Sequence, residues 1–323
     1  MPAPKVAEVR SRISGALLSR VAGPDPTSAR DRIHRTPGPR WFAPDSPIGR
    51  VHGDASMFVG GVRALLLQSL HPRAMAAVAA HSGYRGDPWG RLQRTATFVA
   101  TTTFGTADDA AQIVAVVRTV HARISGTTSQ GLFYEASDPH LLRWVHMAEV
   151  DSFLMAHQRY GREPLDAAGC DEYVAQTAVV GHALGASDLP LTLRDLHAQL
   201  AEYRPELGGT QEAWDAARFL LLTPPLPWVA RPVYAVIAAA GVGLMPRWTR
   251  RPLRLPSVPP VEATLVRAGG RVVTSTIRWA LDAVDPAEGV DPPEVIPPAW
   301  VADGGTGRLR PHQDTSTGTR AAT

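Results

Sequence analysis

Apolar residues recur three and four positions apart through almost the whole of this 323-residue chain, a spacing that fits an α-helix and not a strand. No run of alternating β-branched residues persists long enough to read as a strand. An all-α fold follows. The punctuation marks where the helices begin and end. Asp54 reads as the N-cap of a helix carrying Phe58, Val62, Leu65, Leu66 and Leu70 on its apolar face. Pro72 stops that helix. Because proline is favourable at a first helical position, it also opens another helix over 72–80, leaving His71 at the junction. A helix over 88–104 ends at Gly105. The next, over 107–125, sets Ile113, Val116, Val117, Val120 and Ile124 on one stripe with His121 at its edge. Asp138 and Pro139 serve as cap and first position of a helix over 138–157. Later helices are expected over 172–184, 192–203, 210–222, 232–244 and 260–283, with no internal repeat.

A chain of this length can bury about three quarters of its unfolded surface, so one substantial core is expected. The main helical domain is placed at 41–284. Residues 1–40 read as an amphipathic helix, with Val6, Val9, Ile13, Leu17, Leu18 and Val21 between arginines, leading into a Pro-rich connector that runs over 24–47. Residues 285–323, dominated by Pro, Gly, Thr and Asp, read as an extended or disordered tail.

A basic balance invites a nucleic-acid reading, but 33 Lys and Arg against 30 Asp and Glu leave a formal charge of only +3. Lys5 is the sole lysine, an arginine bias that looks like codon usage in a GC-rich genome. The arginines are interleaved with acids and form no one-face patch of the kind that phosphates require, which argues against DNA or RNA as a partner. Cys170 is the sole cysteine, so there is no internal disulfide, thiolate zinc cluster or Cys-x-x-Cys-His haem attachment. That fits a reducing cytoplasm. The first residues lack the apolar core of a signal peptide. The most apolar window, 228–245, is broken by Arg231, Pro232 and two glycines and falls short of the roughly 20 residues of a membrane span. A soluble cytoplasmic protein is expected, in which 6–21 or 233–244 is suited to peripheral contact with an anionic membrane surface.

No phosphate loop, dinucleotide fingerprint or nucleophile elbow stands in context, and Gly241-Val242-Gly243 lies inside an apolar helix, where it reads as a packing site. A di-iron carboxylate bundle needs Glu-x-x-His on two helices, whereas His146 and Glu149 give the reversed spacing once. A non-haem iron triad could be drawn from His146, Glu149, Asp151 and His157. The 11 histidines hold the remaining interest. A lone histidine on an apolar helix face is most often a hydrogen-bonded core residue. His121, with Val117 and Ile124 one turn away, points into apolar surroundings; His146 has a similar setting, and His182, beside Ala183 and Leu184, is a weaker third. An imidazole presented from a helix into a dry pocket is what haem b needs. His71, next to Pro72, is equally placed to bond a helix terminus.

Several segments together resemble one family. They are Gly49-Arg50-Val51-His52-Gly53-Asp54, the run from Leu65 to Pro72, Arg91-Leu92-Gln93-Arg94-Thr95 with Phe98 and Phe104-Gly105, Val120-His121-Ala122-Arg123, and Leu142-Arg143-Trp144-Val145-His146 with Asp151-Ser152-Phe153. These look like the DUF2236 family, which holds the bacterial MpaB-like proteins and, more distantly, the latex clearing proteins that cleave rubber with dioxygen. The resemblance runs from about Trp41 to Trp248. It implies a globin-like, all-helical bundle with non-covalent haem b on one proximal histidine. The Val120-His121 segment is similar to the one that carries that ligand, which makes His121 the expected haem-iron ligand and leaves His146 as its rival. Arg91 and Thr95 resemble the family's Arg-x-x-x-Thr pair near haem and substrate, with Arg94 the alternative in register. A guanidinium there would balance a haem propionate or orient bound oxygen. The plain reading of Arg91 is a residue on a solvated helix face.

The rubber cleavers are longer and exported. The His71-Pro72 and Trp144-Val145-His146 segments here belong to the shorter MpaB-like branch, so rubber is not the expected substrate. The resemblance thus implies a haem b-dependent oxygenase or oxidase that uses dioxygen or a peroxide on a hydrophobic small molecule. The alternative is a helical carrier or sensor that binds haem or an apolar ligand without turnover. No residue pattern names the electron donor.

Overall fold

The computed structural model describes residues 4–83, 86–282 and 293–298. In chain order come α1 (Pro4–Val21), α2 (Pro26–Arg35), α3 (Pro47–His52), α4 (Met57–Gln68) and α5 (Pro72–His81). The antiparallel pair α6 (Pro88–Phe104) and α7 (Ala107–His121) follows, then two short strands, β1 (Ser125–Thr127) and β2 (Phe133–Glu135). Next are α8 (Pro139–Tyr160), α9 (Ala167–Leu184), α10 (Leu193–Glu202), a 3-10 turn at Arg204–Glu206, α11 (Gln211–Leu222) and α12 (Arg231–Leu244). The short α13 (Arg247–Arg250) and α14 (Pro259–Val261) precede a π turn over Glu262–Val266 that runs into α15 (Arg267–Leu281). The architecture is all-α, as expected; β1 and β2 form one small antiparallel ribbon with Gly126 opposite Tyr134.

Short polar side chains start these helices. Asp25, Asp87 and Asp138 accept first-turn backbone N–H groups of α2, α6 and α8, each with a proline at the start of the helix. Thr106, Asp166, Thr192 and Thr210 do the same for α7, α9, α10 and α11. A cap of this kind contributes about 1 kcal/mol. Several expected boundaries move for the same reason. The Pro-rich connector contains α2, because Pro26 follows its cap Asp25 and initiates a helix instead of breaking one. The N-cap of α4 is Ser56, not Asp54; Asp54 accepts the Ser56 N–H at 2.7 Å and grips Arg278. Helix α7 stops at His121, short of the expected 125, where the chain turns into β1, and α9 begins at Ala167 under the Asp166 cap.

At the centre α4 crosses α8, and Gly60 makes the close approach: a Cβ there would stand 2.9 Å from Phe153 and 3.2 Å from the Ser152 carbonyl. Leu66, Leu67, Leu70, Trp144 and Leu154 are enclosed around this crossing. Each such aliphatic side chain taken out of water contributes roughly 1.5–3 kcal/mol. One ion pair is buried with them. Arg63 donates to Asp151 at 2.6 Å, to Ser152 at 2.7 Å and to the Leu244 carbonyl at 3.0 Å, so neither charge is left uncompensated. Helix α12 packs on α4 with Gly241 against Val62, α15 on α12, and α1 on α15, where Arg10 lies 5.4 Å over the Trp279 ring. On the other side α9 backs α8 and also receives α3 and α7. Part of the expected tail is ordered against the domain: the Arg40 N–H donates to Glu294 O and the Ile296 N–H to Arg40 O, both at 2.8 Å. The rest of that tail lies outside the described residues.

Candidate functional site

The last turns of α7, the middle of α8 and the C-terminal end of α9 come together on one side of the core. On α7 the buried positions are Ala110 and Val114, and His121, seven residues after Val114, continues their line inward. The expected stripe is therefore rotated. Val116 and Val120 are 57% and 51% exposed, and His121 belongs to the inward face instead of its edge. Its Nδ1 is buried without a hydrogen-bond partner, and burial lowers the ring's pKa, which keeps it neutral at pH 7. Arg118, one turn earlier, donates to the Ala183 carbonyl at 3.2 Å and so fixes the end of α7 against the end of α9.

His146 reaches the same end of α9 from α8. Its ring lies directly on Gly181, where a Cβ would stand 2.9 Å from Nδ1. Its Nε2 is buried and unpartnered, and burial, assisted by the neighbouring His182, pushes the pKa down to about 3. His182 itself turns back to its own helix end, with Nδ1 3.1 Å from the Ala186 carbonyl. Two neutral imidazoles with spare nitrogens thus stand on helices α7 and α8, both of which pack against α9. That is the donor chemistry a haem iron takes from a protein, and these residues fit the group.

The three residues considered on α6 differ in setting. Arg94 is exposed and pairs with Asp87 at 3.3 Å, the solvated arrangement. Thr95 is exposed and donates to the Arg91 carbonyl at 3.1 Å. Arg91 is half-buried, and its charge acts on Glu149, one turn beyond His146 on α8. Burial raises the pKa of Glu149; Gln68, donating at 3.1 Å, and Arg91 oppose that rise. Counting back from the turn at Gly105, Arg91 and His121 each lie about 15 residues along antiparallel helices, so they stand at a similar height.

A second polar seam was not expected from sequence. His52 on α3 bridges Thr103 Oγ1 at 2.8 Å and Tyr173 OH at 3.2 Å, and burial brings its pKa to about 3. The Tyr173 hydroxyl is held protonated by burial and by the negative charges of Glu149 and Asp151. Only the Gly49-to-Asp54 motif carried a hint of His52; its partners lie on α6 and α9.

His71 is not at this site. It caps α5 without a side-chain hydrogen bond, and its ring packs near Trp144, Tyr203 and His140. Its Nε2 is 3.3 Å from Glu206, which in turn meets His140 Nε2 at 2.8 Å. The non-haem ligand set drawn from the sequence does not assemble. Asp151 is committed to Arg63 and to His197 at 3.3 Å, and the one group of three His, Cys or acidic ligands that converge among the described residues is His71, His140 and Glu206.

Among the described residues no helix is long and apolar enough to cross a membrane. Two uncharacterized proteins, one of Mycobacterium bovis and one of Mycobacterium tuberculosis, are each 33% identical to this chain over 98 residues, which is 30% of this chain and 38% of theirs. No solved structure matches it. The family described as ER-bound oxygenase mpaB/B'/Rubber oxygenase, catalytic domain, matches residues 49–279, a span that opens before His52 and takes in Arg91, His121, His146 and α12. On that match the chain belongs to the mpaB and rubber oxygenase catalytic-domain family.

Proposed function

We propose that this member of an oxygenase family is a haem b-dependent oxygenase or oxidase, acting with dioxygen or a peroxide on a hydrophobic small molecule, with His121 as the axial ligand. The observation that carries the reading is the half-buried, neutral imidazole of His121, whose Nδ1 is buried and unpartnered, on the inward line of α7. His146 is the rival ligand, and Gly181 leaves its ring room. When bound, haem would supply oxygen activation. The chain's own groups supply the rest. Arg91 offers a cation, and the raised pKa of Glu149 lets its carboxyl hold a proton closer to neutrality than an exposed acid does. Neutral His52, between the Tyr173 and Thr103 hydroxyls, accepts a proton at one ring nitrogen while releasing one at the other.

The test is the absorption spectrum of the haem-reconstituted protein and of its His121→Ala and His146→Ala variants. A Soret band lost or displaced in His121→Ala and retained in His146→Ala supports the assignment; the reverse pattern moves the ligand to His146. Absence of haem from the wild type overturns the reading. Arg91→Ala separates turnover from simple binding: an oxygenase loses oxygen uptake at unchanged haem content, whereas a carrier or sensor has no turnover to lose.

A further inference from the structure

Three backbone devices bring distant residues to one point. Pro72 fixes His71 as the residue before α5, Asp138 and Pro139 place His140 in the first turn of α8, and the Arg204–Glu206 turn, with Pro205 at its centre, presents Glu206. The nearest donor atoms of His71, His140 and Glu206 all lie within 4.8 Å of one another. Two donors about 2.1 Å from a tetrahedral ion sit about 3.4 Å apart. The His71 Nε2 to Glu206 Oε2 distance of 3.3 Å already matches that spacing, and the His140 Nε2 distances of 2.8 and 3.0 Å to the same carboxylate need only a small opening.

An ordinary ion pair accounts for part of this. Arg73, at 3.4 Å, neutralises Glu206, and His140 Nε2 lies 2.8 Å from the same carboxylate. It does not account for His71, whose side chain is 2% exposed, whose Nδ1 has no hydrogen-bond partner and whose Nε2 faces the Glu206 carboxylate at 3.3 Å outside good hydrogen-bond geometry. A cation between them would use that idle lone pair. Tyr203 also suits a ligating His140. Its hydroxyl donates to the His140 carbonyl at 2.9 Å and accepts from Arg143 Nε at 2.9 Å, and it stands 3.1 Å from His140 Nδ1. Arg143 Nη2, which can only donate, also stands 3.4 Å from Nδ1, so ligation through Nε2 requires Nδ1 to turn its proton toward the Tyr203 hydroxyl instead. A cavity of about 230 Å³ whose walls include Arg73 and Asp138 lies nearby, and the Glu206 side chain is itself 36% exposed.

We propose that His71 Nε2, His140 Nε2 and the Glu206 carboxylate form a site for a borderline divalent transition cation of the Zn²⁺ and Fe²⁺ class, independent of the haem ligands. Two imidazoles and one carboxylate favour such ions over Mg²⁺ or Ca²⁺, which take oxygen ligands. Arg73 leaves Glu206 as the ion enters, because the two cations compete for one carboxylate.

The full-length, haem-free chain is titrated with Zn²⁺ by calorimetry and with Co²⁺ by visible absorption, with Mg²⁺ as control. One Zn²⁺ per chain is expected, with ligand-field bands for Co²⁺ and no heat from Mg²⁺. Glu206→Gln, a near-isosteric change on an exposed turn, abolishes binding, as does His140→Gln. Tyr203→Phe weakens Zn²⁺ binding roughly ten- to hundredfold. Arg73→Ala tightens it several-fold, which loss of a merely structural ion pair would not do. No stoichiometric Zn²⁺ binding by the wild type, or binding unchanged in Glu206→Gln, overturns the proposal.

Discussion

Lowering the pH from about 7.5 to about 5 protonates the histidines of the unfolded chain while the buried ones of the folded chain stay neutral. His34, His52 and His146 are pushed down to about 4, 3 and 3 from an ordinary 6.5, in each case chiefly by burial. For a histidine with a lowered folded pKa, stability is full above the unfolded value of 6.5 and is lost progressively as the pH falls from there toward the folded value. At about pH 5 the gap is about 1.5 pH units, or about 2 kcal/mol for each ring and about 6 kcal/mol for the three. His71, held at about 4, acts in the same direction in the metal-free protein. Glu149 and His197, both with raised pKa values, act in the opposite sense and trim the total. A typical domain has only about 5–15 kcal/mol to lose. Urea titrations followed by circular dichroism at the two pH values should show a fall of several kcal/mol, well before most carboxylates titrate. His52→Gln removes one titrating ring and should reduce the fall by about 2 kcal/mol. A wild-type loss below about 2 kcal/mol, the share of a single histidine, would refute the reasoning.

Asp151→Asn leaves the Arg63 guanidinium buried without its counter-charge and should cost about 3–5 kcal/mol in urea unfolding, whereas the double change Arg63→Met with Asp151→Leu should be close to neutral. Gly181→Ala puts a methyl 2.5 Å from Leu189 and 2.9 Å from the His146 ring; it should cost about 1–3 kcal/mol and shift the His146 ring resonances in NMR spectra. Arg278→Met removes the two-point grip on Asp54 at 2.9 and 3.0 Å and the bond to the Tyr160 carbonyl at 2.8 Å, a loss of about 1.5–3 kcal/mol measurable by thermal melting. Burial raises the pKa of Asp54 and its hydrogen bonds, Arg278 foremost, bring it below the usual 3.8, so the stability it adds is present above that value and lost as the pH falls; without Arg278 the loss should begin at higher pH.

Much of the helical order was legible because it is written locally. Helix α6 runs from Pro88 to Phe104 as expected, since its cap, its proline and its terminating Gly105 are neighbours in sequence. Residues 24–47 misled for the opposite reason: prolines read as breakers, and only the preceding aspartate reveals that Pro26 starts a helix. On α7 the apolar residues outnumber the positions its neighbours cover, so counting valines placed the buried line one step away from Ala110, Val114 and His121. The π turn before α15 inserts no residue type that marks it. Site partnerships were harder still. His121, Arg91 and Thr95 stood out through short motifs, but the pairing of His140 with Glu206 spans 66 residues and that of His52 with Tyr173 spans 121, joining elements whose proximity exists only after the core has formed. No periodicity encodes such distances.

The packing of α1 against α15 also sets a timetable. The surface that receives Arg10 carries Trp279, made 269 residues after it. Helix α1 also packs on α6, which is made early, but at synthesis rates of about 5–20 residues per second it waits roughly 13–54 seconds before α15 exists. During that interval the face of this arginine-bearing amphipathic helix that α15 will cover stays open. The seam between α1 and α15 therefore closes late in the order of synthesis, after the helices between them have been made.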